Sequence, residues 1–130
     1  MGPMIEGVVY GSTDAIVALT IHGPEGQAEH VDFKIDTGFD GALTLHSAVV
    51  AALGLPRRGT QDIVLADGSL VRCAVCDGWV EWAGVPRSVR IQVADSISLL
   101  GMALLAEHQV RIDVVEGGVV RITPLMQIAA

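Results

Sequence analysis

The sequence predicts an all-β fold: one domain over residues 1–130, an internally two-fold β-barrel with one or two short helices. Three observations carry that reading. Hydrophobic residues make up 51% of the chain but aromatics only 4%, so the core must be aliphatic, and the abundant Val and Ile favour strands. Fifteen glycines supply the turns that many short strands need. The order hairpin, glycine loop, short helix also occurs twice: Ala15–Ile35 leads to a loop with Gly38, and Trp79–Val93 to a loop with Gly101. At 130 residues the chain is near the usual size of a single domain, and no low-complexity segment divides it.

Met4–Tyr10 and Ala15–His22 read as an opening strand pair across Gly11-Ser12-Thr13-Asp14. His22–Gln27, with Gly23, Pro24 and Gly26, turns the chain into a strand ending at Ile35. There Val31, Phe33 and Ile35 take one face and Asp32 and Lys34 the other. Leu43–Leu45 forms a short strand before a helix with Ser47 as N-cap, which Gly54 stops and Pro56 bars from continuing. Gln61–Leu65 and Leu70–Val75 make a hairpin about Ala66-Asp67-Gly68-Ser69, since Asp-Gly between β-formers favours reversal. Trp79–Trp82 and Arg87–Val93 make another across Ala83-Gly84-Val85-Pro86. Ile97–Gly101 leads into a helical segment Met102–Glu107, and a last hairpin, Val110–Val115 with Val119–Leu125, turns at Glu116-Gly117-Gly118.

Charge and cysteine usage narrow the function. A net charge of -7 without a Lys/Arg cluster argues against nucleic acid or anionic membrane as partners. The longest apolar stretches, around Ala15–Ile21 and Ile97–Ala106, fall short of the ~20 residues of a spanning helix. No basic-then-apolar leader opens the chain, so the cytoplasm is the expected location. Cys73 and Cys76 have a C-x-x-C spacing but fall in a strand, where residues three apart face opposite sides roughly 10 Å apart. That exceeds the ~7 Å Cα separation a disulfide tolerates, so two unlinked structural thiols are expected. His22, His30, His46 and His108 are scattered without metal-binding spacing, and neither metal nor cofactor is expected.

Asp36-Thr37-Gly38 holds the chemistry. A strand ending in these residues brings a carboxylate, a hydroxyl and an unhindered backbone to one place. A carboxylate at the buried end of a strand requires hydrogen-bond donors or a shifted pKa. In isolation the triplet reads as a turn with a capping carboxylate, and its setting is what raises it above that.

Three elements in order resemble the retropepsin-like aspartic proteases, single-lobe relatives of pepsin. They are Asp36-Thr37-Gly38-Phe39-Asp40-Gly41 as catalytic loop, Ala66-Asp67-Gly68-Ser69 as flap tip, and Leu99-Leu100-Gly101-Met102-Ala103-Leu104-Leu105 as the apolar-apolar-Gly element with its helix. The likeness covers roughly Ala15 to Thr123. It implies a closed acid-protease barrel, a homodimer and hydrolysis of a peptide or protein substrate. Two Asp36 carboxylates would share one proton; one would activate a water as general base and the other would donate to the scissile carbonyl. Thr37 would bond across the dimer, and Gly38 would aim backbone at the carboxylate. Phe39, Asp40, Leu99 and Leu100 would line substrate pockets under a lid formed by Ala66, Asp67 and Gly68.

One position departs from the pattern. Retroviral members carry an Arg after the second Gly, paired with the residue equivalent to Asp40; here Met102 stands there, leaving Arg111 and Arg121 as substitutes. A non-catalytic peptide-binding or scaffolding module on the same fold is the alternative function. A phosphoryl acceptor at Asp36 is poorly supported, because no phosphate-binding loop accompanies it.

Overall fold

Burial follows the alternation of apolar and polar residues. In the computed structural model, which describes residues 3–126, strand β2 (Asp14–His22) buries Ala15, Val17, Leu19 and Ile21 and leaves Ile16, Ala18 and Thr20 more exposed. β2 pairs antiparallel with β1 (Ile5–Tyr10) on one side and with β3 (Ala28–Ile35) on the other. The chain continues through β4 (Leu43–Leu45), α1 (Ser47–Leu53), β5 (Arg57–Val64), β6 (Leu70–Trp82), β7 (Val85–Val93), β8 (Leu99–Leu100), α2 (Met102–Leu105), β9 (His108–Ile112) and β10 (Val119–Pro124). The strands form one sheet in the order β5-β6-β7-β4-β8-β3-β2-β1-β10-β9, and β2 also pairs with β6 through Ile21↔Val80 and His22↔Trp79.

The central pairings repeat by halves. β3 runs parallel to β8 with Ile35 opposite Leu100, and β7 runs parallel to β4 with Val93 opposite Leu45. The inner strand of each hairpin thus pairs with the short strand that follows the other hairpin. β4 and β8 meet antiparallel at Leu43 and Leu100, and a short helix follows each. This crossing is the centre of the core, where Phe33, Leu43, Leu45, Ile91, Leu100 and Leu104 are fully buried. Each such side chain contributes about 1.5–3 kcal/mol by leaving water.

Several element boundaries differ from the sequence reading. The cap of α1 is His46, in extended conformation, whose Nδ1 accepts from the Ala48 N–H, and not Ser47. The Ser47 N–H donates instead to Asp95 Oδ1 (2.9 Å), so a carboxylate from the loop after β7 takes the first helical amide and helix begins at Ser47 itself. Gly54 ends the helix at φ 62°, as expected. β6 is a single thirteen-residue strand where two were expected. Gly78 does not interrupt it; a Cβ there would lie 2.7 Å from Ile91 Cδ1, so glycine makes room for packing. The β6–β7 reversal takes only Ala83 and Gly84, both at positive φ, with Trp82 opposite Val85. β9 begins at His108 and ends at Ile112, earlier at both ends than expected.

Cys73 is half-buried, Cys76 is buried, and both thiols are free, as their opposite facings in β6 require. Burial, then the nearby Asp77 and Cys73, pushes the Cys76 thiol up to about 11, so it packs as an inert apolar side chain. His108 is a satisfied structural residue: Trp82 Nε1 donates to its Nε2 (3.1 Å), and its Nδ1 lies 2.8 Å from the Ala106 carbonyl.

Candidate functional site

β3 carries the chain out of the core into the Asp-Thr-Gly loop, and β8 fixes where it emerges. The Asp36 N–H donates to the Leu100 carbonyl (3.0 Å), extending the parallel pairing by one step. The Asp36 carboxylate, half-buried, accepts from the Gly38 N–H through Oδ1 (2.9 Å). A Cβ on Gly38 would stand 3.2 Å from that same oxygen, so glycine keeps the approach to the carboxylate open. The loop then closes on itself, with the Phe39 N–H donating to the Asp36 carbonyl (3.1 Å).

The second glycine element braces the first. Gly101 N–H donates to Ala42 O (2.9 Å), Met102 N–H to Phe39 O (2.8 Å) and Ala103 N–H to Gly41 O (3.1 Å). Thr44, the buried polar residue of the core, accepts the Leu99 N–H through Oγ1 at 2.8 Å. Thr44→Val should therefore strand the Leu99 amide and cost about 1–3 kcal/mol, whereas Thr44→Ser keeps the acceptor. Urea unfolding of the two variants measures the difference, and equal stability would show that the hydroxyl carries no weight.

The repeat by halves locates the counterpart of Asp36. Ala94 N–H donates to Leu45 O (2.9 Å), as Asp36 N–H does to Leu100 O (3.0 Å), so Ala94 occupies the equivalent position after β7. It has no carboxylate. The neighbouring Asp95 turns to α1, where the Ser47 N–H holds its carboxyl below the usual range.

A groove of about 750 Å³ opens beside the loop. Gly38 to Ala42 form one wall, Gln61 to Val64 of β5 a second, and Arg87 to Arg90 with Gln92 of β7 a third. Of the predicted substrate-contacting residues, Phe39 and Asp40 line it. Leu100 does not: it is fully buried and contributes its carbonyl to the loop, because the parallel pairing with β3 turns its side chain into the core. Leu99 is half-buried beside Lys34 of β3 and is also absent from the groove lining. None of the ion pairs among the described residues includes Asp40; Arg111 pairs with Asp113, and Arg121 lies opposite Arg111 in the β9–β10 pairing.

Ala66, Asp67 and Gly68 form the exposed tip of the β5–β6 hairpin, beyond the groove lining. Asp67 Oδ1 accepts from Ser69 Oγ (2.6 Å) and from the Ser69 N–H (2.9 Å), and Gly68 takes φ 84°. The Ser69 hydroxyl and then its amide hold the Asp67 carboxyl below its ordinary 3.8. A carboxyl depressed in the folded state supports the turn above its unfolded pKa and loses that support as pH falls through the folded value. The tip should hold through neutral and mildly acid solution and loosen only below the ordinary Asp range, read as faster exchange of the Ser69 amide. Val64, Leu65, Leu70 and Val71 leave both arms of this hairpin apolar and exposed.

Among the described residues no cluster of His, Cys, Asp and Glu could hold a metal ion, and no helix is long and apolar enough to cross a membrane. No protein-family profile matches the chain, and no curated protein does. Among solved structures it is similar to a retropepsin-like aspartic protease from Rickettsia conorii, at 19% identity and a TM-score of 0.58, over 95% of this chain and 92% of that one. The crossed β3–β8 and β4–β7 pairs that position the Asp36 loop thus belong to a known architecture: this chain has the fold of a retropepsin-like aspartic protease.

Proposed function

We propose that the chain is an aspartic endopeptidase that works as a homodimer, hydrolysing peptide bonds with a water activated between two Asp36 carboxylates. One observation supports this above the rest: Asp36 opens the loop whose next residues, from Gly38 on, line the groove, while its internal counterpart is Ala94, so the chain builds half of a carboxylate pair. A two-fold axis between chains supplies the other half. Two carboxylates about 3 Å apart cannot both ionise, so the pair retains one proton. The ionised member takes a proton from water as it attacks, and the protonated member donates to the carbonyl oxygen.

On this reading the exposed Thr37 hydroxyl bonds to the partner's loop and keeps the carboxylates coplanar. The six strands β2-β3-β8-β4-β7-β6 act as a closed barrel that holds the loop rigid. Substrate lies extended in the groove, paired through its backbone, with the apolar arms of the β5–β6 hairpin closing over it to exclude water. The cytoplasm is the proposed location. A binding module has no use for a half-buried carboxylate in the loop that borders the groove, which favours the enzyme.

The test is specific activity against protein concentration on a peptide library. A site shared by two chains should give a rate that rises with the square of chain concentration when dilute and linearly once dimer predominates. A linear rate from a chain that sediments as monomer would refute the shared site. A stable dimer that cleaves nothing would leave the peptide-binding module as the function.

A further inference from the structure

Neither terminal strand has an edge left to share. β1 lies between β2 and β10, and β10 between β1 and β9, so among the described residues only β5 and β9 end the sheet. A dimer that joins two Asp36 loops needs another surface to hold it, since stable interfaces bury about 800 Å² per partner. Two exposed apolar patches flank the loop. The first is a shelf at the end of β1. The β2–β3 register runs from Ile16↔Lys34 towards Asp36 and sets Asp14 beside it, and Asp14 is paired in turn with Tyr10. Tyr10 thus stands two strand spacings, about 10 Å, from Asp36. The β9–β10 turn is bound to the same end: Gly117 N–H donates to Val9 O (2.9 Å) and Ser12 N–H to Glu116 Oε2 (3.0 Å). Tyr10, Val114 and Val115 are 56%, 64% and 61% exposed there.

The second patch is one face of the β5–β6 hairpin. Gln61, whose Oε1 accepts from Gln92 Nε2 of β7 (3.4 Å), marks the face turned to the groove, and Ile63 and Val71 share it by alternation. Val64, at the groove rim, and Leu70 lie opposite each other on the other face, and both are 67% exposed. A lid over substrate uses the Gln61 face and leaves these two uncovered. The strand order sets the patches on opposite flanks of Asp36: the hairpin beyond β8, β4 and β7, the shelf beyond β2. A two-fold axis at Asp36 exchanges the flanks, so each shelf receives the hairpin of the other chain. Covering these five side chains hides on the order of 100 Å² apiece, which with the Asp36 loop approaches the ~800 Å² required. Resting on the shared Asp36 site, we propose that the shelf is the seat of a second copy's β5–β6 hairpin: Val64 and Leu70 of one chain pack on Tyr10, Val114 and Val115 of the other. Each lid is then supported in trans, and dimerisation sets the lid as well as the carboxylate pair.

Sedimentation velocity over a range of concentrations tests this. Leu70→Asp and Val115→Asp each place a carboxylate in the interface twice per dimer, so each should weaken dimerisation about 100-fold. Both residues are exposed, so circular dichroism of the variants should match wild type. Val85→Asp, 63% exposed at the β6–β7 turn, is the control and should dimerise as wild type does. The double variant Leu70→Asp/Val115→Lys should recover most of the lost affinity, because the two new charges meet across chains. Weak single variants without that recovery would overturn the pairing of the two patches. Wild-type affinity in both Asp variants would overturn the contact and leave the shared Asp36 site standing. A wild-type chain that stays monomeric at every concentration would refute the shared site and this contact together.

Discussion

Asp36→Asn should lower peptide cleavage by about 10²–10⁴-fold while leaving fold and dimer in place. The substitution is nearly isosteric, and the amide oxygen can still accept from the Gly38 N–H that the Oδ1 of Asp36 now accepts. The backbone bonds to Leu100 and Phe39 do not involve the side chain, so the loop keeps its shape. What disappears is the base: an amide neither takes a proton from water nor shares one with a partner carboxylate. Mixing supplies the sharper measurement. If each site needs Asp36 from two chains, an equal amount of the variant, after exchange, leaves about one quarter of the dimers with both carboxylates. Activity per wild-type chain should then fall by about half. Activity that is unaffected by the variant, under conditions where subunits exchange, would show that a single chain carries its own site.

The Asp-Thr-Gly loop at the end of β3 was readable from sequence because its signal is local. Val31, Phe33 and Ile35 fix the facing of β3, and Asp36-Thr37-Gly38 follows without a gap. The crossing of β3 with β8 was readable in outline from the two glycine loops. Ala94 as the counterpart of Asp36 was not, since it emerges only when the hydrogen bonds to Leu45 and Leu100 are compared. Leu100 was expected in a pocket wall, but parallel pairing turns it into the core, a choice between two faces that a two-residue strand does not encode. Arg87, Arg90, Gln61 and Gln92 were missed for a different reason. β5 and β7 are separated in sequence by all of β6, and nothing in either segment announces that both border one groove. The cap of α1 was misplaced by one residue because its first amide is satisfied by Asp95, from a loop 48 residues away.

Gly101→Ala should be the most damaging single-methyl change in the molecule for function. A Cβ at Gly101 would stand 2.3 Å from Gly41 O, 2.4 Å from Phe39 Cδ2 and 2.6 Å from Phe39 O, all well inside van der Waals contact. The backbone at this position, φ -110° and ψ -179°, is open to any residue, so the cost is contact and not conformational strain. Two of the three opposing atoms are main-chain, and they belong to the segment that Gly101 and Met102 hold by hydrogen bonds to Ala42 and Phe39. Relief therefore requires the Phe39–Gly41 backbone to move away from β8. Overpacking of this kind costs about 1–3 kcal/mol and more where backbone must shift, which for a domain of this size lowers Tm by roughly 10 °C. Activity should fall further than stability alone explains, because Phe39 to Gly41 follow the Asp36 loop and form a wall of the groove. A displacement of about 1 Å in such a segment can cost ~10²-fold in rate. Gly68→Ala is the control: it carries the strain of φ 84°, but its Cβ would meet nothing within 4 Å. Its effect on Tm should be the smaller of the two. Equal Tm values for wild type and Gly101→Ala would mean that the Phe39 loop is free to yield, and the bracing assigned to the second glycine element would then be wrong.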